Sequence, residues 1–204
     1  MLILLKPLTG HIEMIILDRL FNKFRNNNNI EYSGTLFLTN VPSVAPFAYL
    51  NIIFPAADKE IQERKIDSLH LPVQLREYYF NYNGAVLLSD TINIFGFRPN
   101  KYLLERDDWR KILPMDLIEE NQEYYGHMAL SKLLLIGYYS PDVSYVGLER
   151  PTGKVYCCEG RNIYKIRASW PSFDIWLESE LKRLVEYFDE YGNRLVEQEE
   201  MLPG

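Results

Sequence analysis

An α+β fold with a largely antiparallel sheet is what this chain predicts, and three observations carry the prediction. Amphipathic helical stretches sit near both ends and in the middle. The strand candidates between them are joined mostly by short turns, without the regular strand–helix alternation of a doubly wound fold. Hydrophobic residues make up 47% of the 204 positions and aromatics 14%, enough to fill a core without metal or disulfide. The expectation is a single domain spanning residues 1–204. It has a twisted, mainly antiparallel or mixed sheet, helices packed against it and a long C-terminal helix.

Residues 11–25 predict an amphipathic helix: Ile12, Ile16, Leu20 and Phe24 recur at four-residue steps, with Glu13, Asp18, Arg19 and Lys23 on the wet side. Asn26–Asn29 end it, because asparagine competes for the backbone and favours turns. Thr35–Thr39 and Tyr49–Phe54 predict strands, and a charged helix over 58–67 follows. Next comes the unit on which the rest depends. Pro72 suits a helix entry, and Leu71, Leu75, Tyr78, Tyr79 and Tyr82 recur on one helical face. Asn83-Gly84 predicts the stop, since both tolerate left-handed geometry. The period then changes to two. Ala85–Leu88 predicts a buried strand, Ser89-Asp90 a turn and Ile92–Phe97 the antiparallel partner.

From Arg98 to Tyr125 the chain is polar and acidic, and one or two short helices are expected. Leu133–Tyr138 and Val143–Glu149 predict strands. Turns at 151–154 and 159–161 lead into Val155–Cys158 and Ile163–Ala168. Ser172 predicts the cap of the final helix, whose Phe173, Leu177, Leu181, Leu184 and Phe188 keep helical spacing until Gly192. The tail, with Glu197, Glu199 and Glu200, is expected to fray.

Net charge is −6 and the isoelectric point is near 5.2, which argues against a nucleic-acid binder. Cys157 and Cys158, the two cysteines, are adjacent and would close only a strained ring. They are expected as strand residues pointing to opposite faces in a reducing compartment. Met1–Leu5 is apolar but leads into Lys6-Pro7, the reverse of a signal peptide, and no apolar run is long enough to span a bilayer. A cytoplasmic protein without membrane contact is expected.

Leu71-Pro72, Leu75, Tyr78 and Asn83-Gly84, followed by a strand pair ending Ile94-Phe95-Gly96, resemble the signature of the SUKH superfamily. Leu135-Ile136-Gly137, Tyr145 and Leu148, Thr152-Gly153-Lys154-Val155-Tyr156, and Ser172-Phe173 with Trp176-Leu177 extend the resemblance. It covers roughly residues 58–191. Residues 1–57 read as an N-terminal helix and probable strands extending the family sheet. The resemblance implies one α+β domain without catalytic machinery. Its bacterial members are typically immunity proteins of polymorphic toxin systems, which bind and neutralise a toxin encoded beside them, in some cases a nuclease. Related fungal members regulate cell-wall synthesis as interaction hubs.

The residues themselves agree with a binder. His11, His70 and His127 are dispersed, and no HExxH, phosphate-loop or nucleophile-elbow motif occurs. No catalytic residue, metal ligand or cofactor is predicted. Acidity is concentrated: residues 105–123 hold seven acids against three cations, and 184–204 hold six against Arg194. An acidic surface complements the basic active site of a nucleic-acid-degrading enzyme and steers encounter with it. Within and beyond the first segment, Asp107, Asp108, Trp109, Glu119, Glu120, Tyr138, Tyr139, Asp142 and Tyr145 are the candidate partner-binding residues. Tyrosine and tryptophan serve as large, rigid contacts there. Immunity by stoichiometric binding of a toxin is the first expectation; a regulatory hub with several endogenous partners is the alternative.

Overall fold

The computed structural model describes residues 30–32, 34–38, 51–56, 65–66, 69–98, 113–126, 132–189 and 193–204. Among them nine strands form one sheet: β1 (Ile30–Tyr32), β2 (Thr35–Leu38), β3 (Asn51–Pro55), β4 (Tyr82–Leu87), β5 (Ile92–Ile94), β6 (Leu133–Tyr139), β7 (Ser144–Glu149), β8 (Val155–Glu159) and β9 (Asn162–Trp170). Each pairs antiparallel with its neighbours in sequence, so the sheet order is the chain order. Three helices interrupt the meander: α1 (Val73–Asn81) before β4, α2 (Leu117–Tyr125) before β6 and α3 (Phe173–Val185) after β9. The α+β class with a C-terminal helix is therefore observed, and the strands of the first 57 residues join the same sheet through the β3–β4 pairing. Expected helices over 11–25 and 58–67 lie outside the described residues, apart from Lys65 and Ile66.

The central unit differs from its expectation in one respect. Helix α1 ends at Asn81, and its C-cap, Tyr82, is already extended with φ −142°. Asn83 and Gly84 therefore do not stop the helix; they are the second and third residues of β4. Asn83 is instead a bridge. Its Oδ1 accepts from Phe97 N at 2.6 Å and its Nδ2 donates to Phe97 O at 2.6 Å. Beside it Gly84 sits at φ +91°, where a Cβ would come within 2.8 Å of Ile94 O. Close approach of two backbones, not helix termination, is what demands glycine here. β5 stops at Ile94, and Gly96 then forms a parallel bridge with Asp116.

The two faces of the sheet are covered by different helices. Tyr138 and Tyr139 are consecutive on β6 and point to opposite sides. The Tyr139 hydroxyl donates to Glu180 Oε2 at 2.8 Å and accepts from Trp176 Nε1 at 3.0 Å, so its face carries α3. Tyr138 pairs across β7 with Tyr145, whose ring meets Tyr124 of α2 at 5.5 Å between centroids. Helix α1 packs with α3, Tyr78 lying 5.1 Å from Phe173. Ser172 caps α3 as expected, its side chain accepting from Ile175 N.

Cys157 and Cys158 are both free and fully buried; burial pushes their thiols up to about 12 and about 11. Helix α3 ends at Val185, earlier than expected, because the chain turns back and Phe188 bridges to Arg194. Gly192, expected to end that helix, lies outside the described residues. The expected frayed tail is docked instead. Gln198–Met201 form a 3-10 turn closed by a Glu197–Glu200 capping box, and Met201 is fully buried.

Candidate binding face

Helix α2 is placed by two polar side chains. Asp116, 3% exposed, caps it by accepting from Ile118 N at 2.9 Å and Glu119 N at 3.1 Å. Its other oxygen accepts from Arg98 N at 2.7 Å and lies 3.7 Å from Lys65 Nζ. Asn121 then ties the helix to the sheet. β6 bulges between Leu135 and Gly137, and β5 has already ended, so the peptide groups of Leu135 lack a strand neighbour on that side. Asn121 takes that place, accepting from Leu135 N at 2.9 Å and donating to Leu135 O at 2.7 Å.

With α2 so fixed, Glu119, Glu120 and Glu123 stand beside the tyrosines of β6 and β7. Glu119 is exposed and pairs with Arg98 at 3.3 Å. Glu120 is half-buried; burial raises its carboxyl first, Glu123 adds to the rise, and Arg98 and Arg161 pull it down. Burial likewise raises the hydroxyl of Tyr145, against Arg161 and in concert with Glu120 and Glu123. The Tyr138 hydroxyl is raised by burial and then by Asp90 and Glu120. These groups feel one another's fields. They form one face: Asp90, Glu120, Glu123, Tyr124, Tyr138 and Tyr145. The β8–β9 turn closes one end, where Tyr124 donates to Arg161 O at 2.9 Å and the Arg161 guanidinium lies 5.9 Å from the Tyr145 ring centre.

Of the sequence-predicted residues, Glu119, Glu120, Tyr138 and Tyr145 are brought together here. Tyr145 is a floor, not a protruding contact, with 6% of its surface exposed. Tyr139 is a correction: it is fully buried on the opposite face, because strand alternation turns it toward Trp176 and Glu180. Asp142 is also committed to structure, accepting from Ser144 N at 2.9 Å and from Arg167 Nη2 at 2.7 Å. Asp107, Asp108 and Trp109 lie outside the described residues. Asp90 and Arg161 were missed because each reads in sequence as an ordinary turn residue. What the face offers chemically is recognition. Its carboxylates accept from cationic side chains, and its tyrosines supply area and aromatic surface for them.

No family model matches the chain, and no curated protein matches it. Among the described residues no helix is long and apolar enough to cross a membrane.

Proposed function

We propose that this chain is an immunity protein of the kind its SUKH resemblance implies, binding a toxin encoded beside it and neutralising it stoichiometrically in the cytoplasm. One observation carries the reading: three carboxylates of α2 and the tyrosines of β6 and β7 share one face, held by a capped and stitched helix. Such a face complements a basic cleft, and occlusion of a nuclease active site is the mechanism that fits it best. The most perturbed hydroxyls and thiols, those of Tyr79, Tyr139, Cys157 and Cys158, lie in the core, which favours binding over chemistry. Two buried free thiols suit a reducing compartment.

The test is calorimetric titration with the toxin domain encoded beside the gene, at low and high salt. Wild type binds one to one. Joint replacement Glu119→Lys, Glu120→Lys and Glu123→Lys is expected to weaken binding at least about ten-fold and to flatten its salt dependence, with circular dichroism unchanged. Unchanged affinity would remove this face from the interface. A neighbouring toxin that does not bind at all would remove the immunity reading.

A further inference from the structure

The acidic face absorbs α2 and the middle of the sheet, but not its last strand. β9 is nine residues long, about 30 Å. Among the described residues it pairs with β8 alone. Its outer edge therefore presents alternate unpaired N–H and C=O groups. It is also the most exposed strand of the sheet. Tyr164 is 90% exposed and Ile166 46%, two residues apart, a spacing that puts both on one face. In a chain of net charge −6, residues 160–173 carry Arg161, Lys165 and Arg167 and no acid.

We propose that the outer edge of β9 accepts an extended, acidic segment of another protein as a tenth strand. This inference does not depend on the acidic face or on the immunity reading. Backbone pairing supplies affinity, and alternate side chains supply selectivity. Lys165 is the recognition cation: its partner Glu159 is 3.8 Å away and both side chains are more than half exposed, so an incoming carboxylate can replace it at little cost. Arg167 stays on Asp142 at 2.7 Å. Tyr164 and Ile166 give the incoming strand apolar surface.

The charge pattern also selects against a second copy of this chain. Antiparallel self-pairing about Ile166 sets Lys165 opposite Arg167, and like charges directly opposed across strands repel. A bulge adds to the discrimination. Cys158 faces Ile166 while Glu159 faces Asn162, so residues 163–165 have no partner on β8 and the edge arches there. Regular pairing is thereby confined to the Ile166–Trp170 half, with Tyr164 thrust outward beside it.

The test uses the full-length protein, labelled with nitrogen-15, and two acetylated octapeptides. One alternates valine with glutamate, the other valine with lysine. The glutamate peptide is expected to give saturable shifts and to slow amide exchange within 162–170 by about ten-fold or more. The lysine peptide should not. Lys165→Glu is expected to reverse the preference, and Tyr164→Ala, at an exposed position that folding does not depend on, to weaken binding about ten-fold. No saturable response at about 1 mM peptide, equal responses to both peptides, or protection confined to other strands overturns the proposal. Slow exchange of β9 amides that scales with protein concentration in the absence of peptide also overturns it, in favour of self-pairing.

Discussion

The amide of Asn121 meets both the N–H and the C=O of Leu135, at 2.9 and 2.7 Å, and that of Asn83 does the same for Phe97, at 2.6 and 2.6 Å. Each side chain completes a ladder where a strand has run out. Buried peptide groups left open cost far more than a formed hydrogen bond returns, so these two positions matter beyond their number of bonds. Asn83→Ala and Asn121→Ala are each expected to lower stability by about 2–4 kcal/mol in urea unfolding. Asn81→Ala is the control. Its side chain is exposed and bonds only to Glu77 O of its own helix, so a change of no more than about 0.5 kcal/mol is expected. A similarly small change at Asn121 would mean that water fills the gap and that α2 is placed by its Asp116 cap alone. In sequence both residues look like turn formers, since asparagine most often acts on its own neighbourhood. A side chain that serves a strand 14 residues away leaves no local signature.

Helices and strands announced themselves through period, and where they failed to, a longer-range contact had overruled it. Ser172 and the apolar spacing of α3 were readable, as were the turns before β8 and β9. The helix end near Asn83 was not, because the sheet claimed Tyr82 first. The tail is the clearest case. Its acids read as a solvated end, yet Met201 is fully buried, its carbonyl accepts from Arg183 Nη2 at 2.8 Å, and its sulfur lies 3.7 Å from Thr91 Oγ1. Arg183 also binds the buried carboxylate of Glu180, which in turn holds Tyr139. The 3-10 turn is thus a closing element of the core on the α3 side. Met201→Ala is expected to cost about 2–4 kcal/mol in urea unfolding, the range for emptying a buried site of this size. A cost under about 0.5 kcal/mol, the surface value, would show the tail to be dispensable and return it to the frayed end its composition predicts.

Because the sheet order follows the chain order, each functional surface is built from neighbouring elements. The acidic face lies over β6 and β7, and the cationic strand forms the edge two strands further on. The residue types of the acidic face were readable in the sequence, but their convergence was not, since it depends on the β6 bulge and on the cap of α2. One property of that face couples the stability of the whole molecule to its binding. Burial and Glu123 raise the carboxyl of Glu120, with Glu119 adding to the rise and Arg98 and Arg161 opposing it. A carboxyl whose folded value exceeds its unfolded one keeps its proton in the folded state over a range where the unfolded chain has lost it. Its contribution therefore favours folding at low pH and is lost as pH rises through the raised value. Glu120→Gln removes that dependence. The stability difference between variant and wild type should be flat below the ordinary carboxylate range and move in the variant's favour as pH rises through it, in urea unfolding from about pH 3 to 7. Binding should run the other way. A cationic partner on Glu120 prefers the ionised form, so wild-type affinity rises with pH across the same window while that of Glu120→Gln stays level. Opposite slopes for folding and binding place the partner's cation at this carboxylate. Parallel slopes, or a variant that binds with the wild-type pH dependence, place it elsewhere.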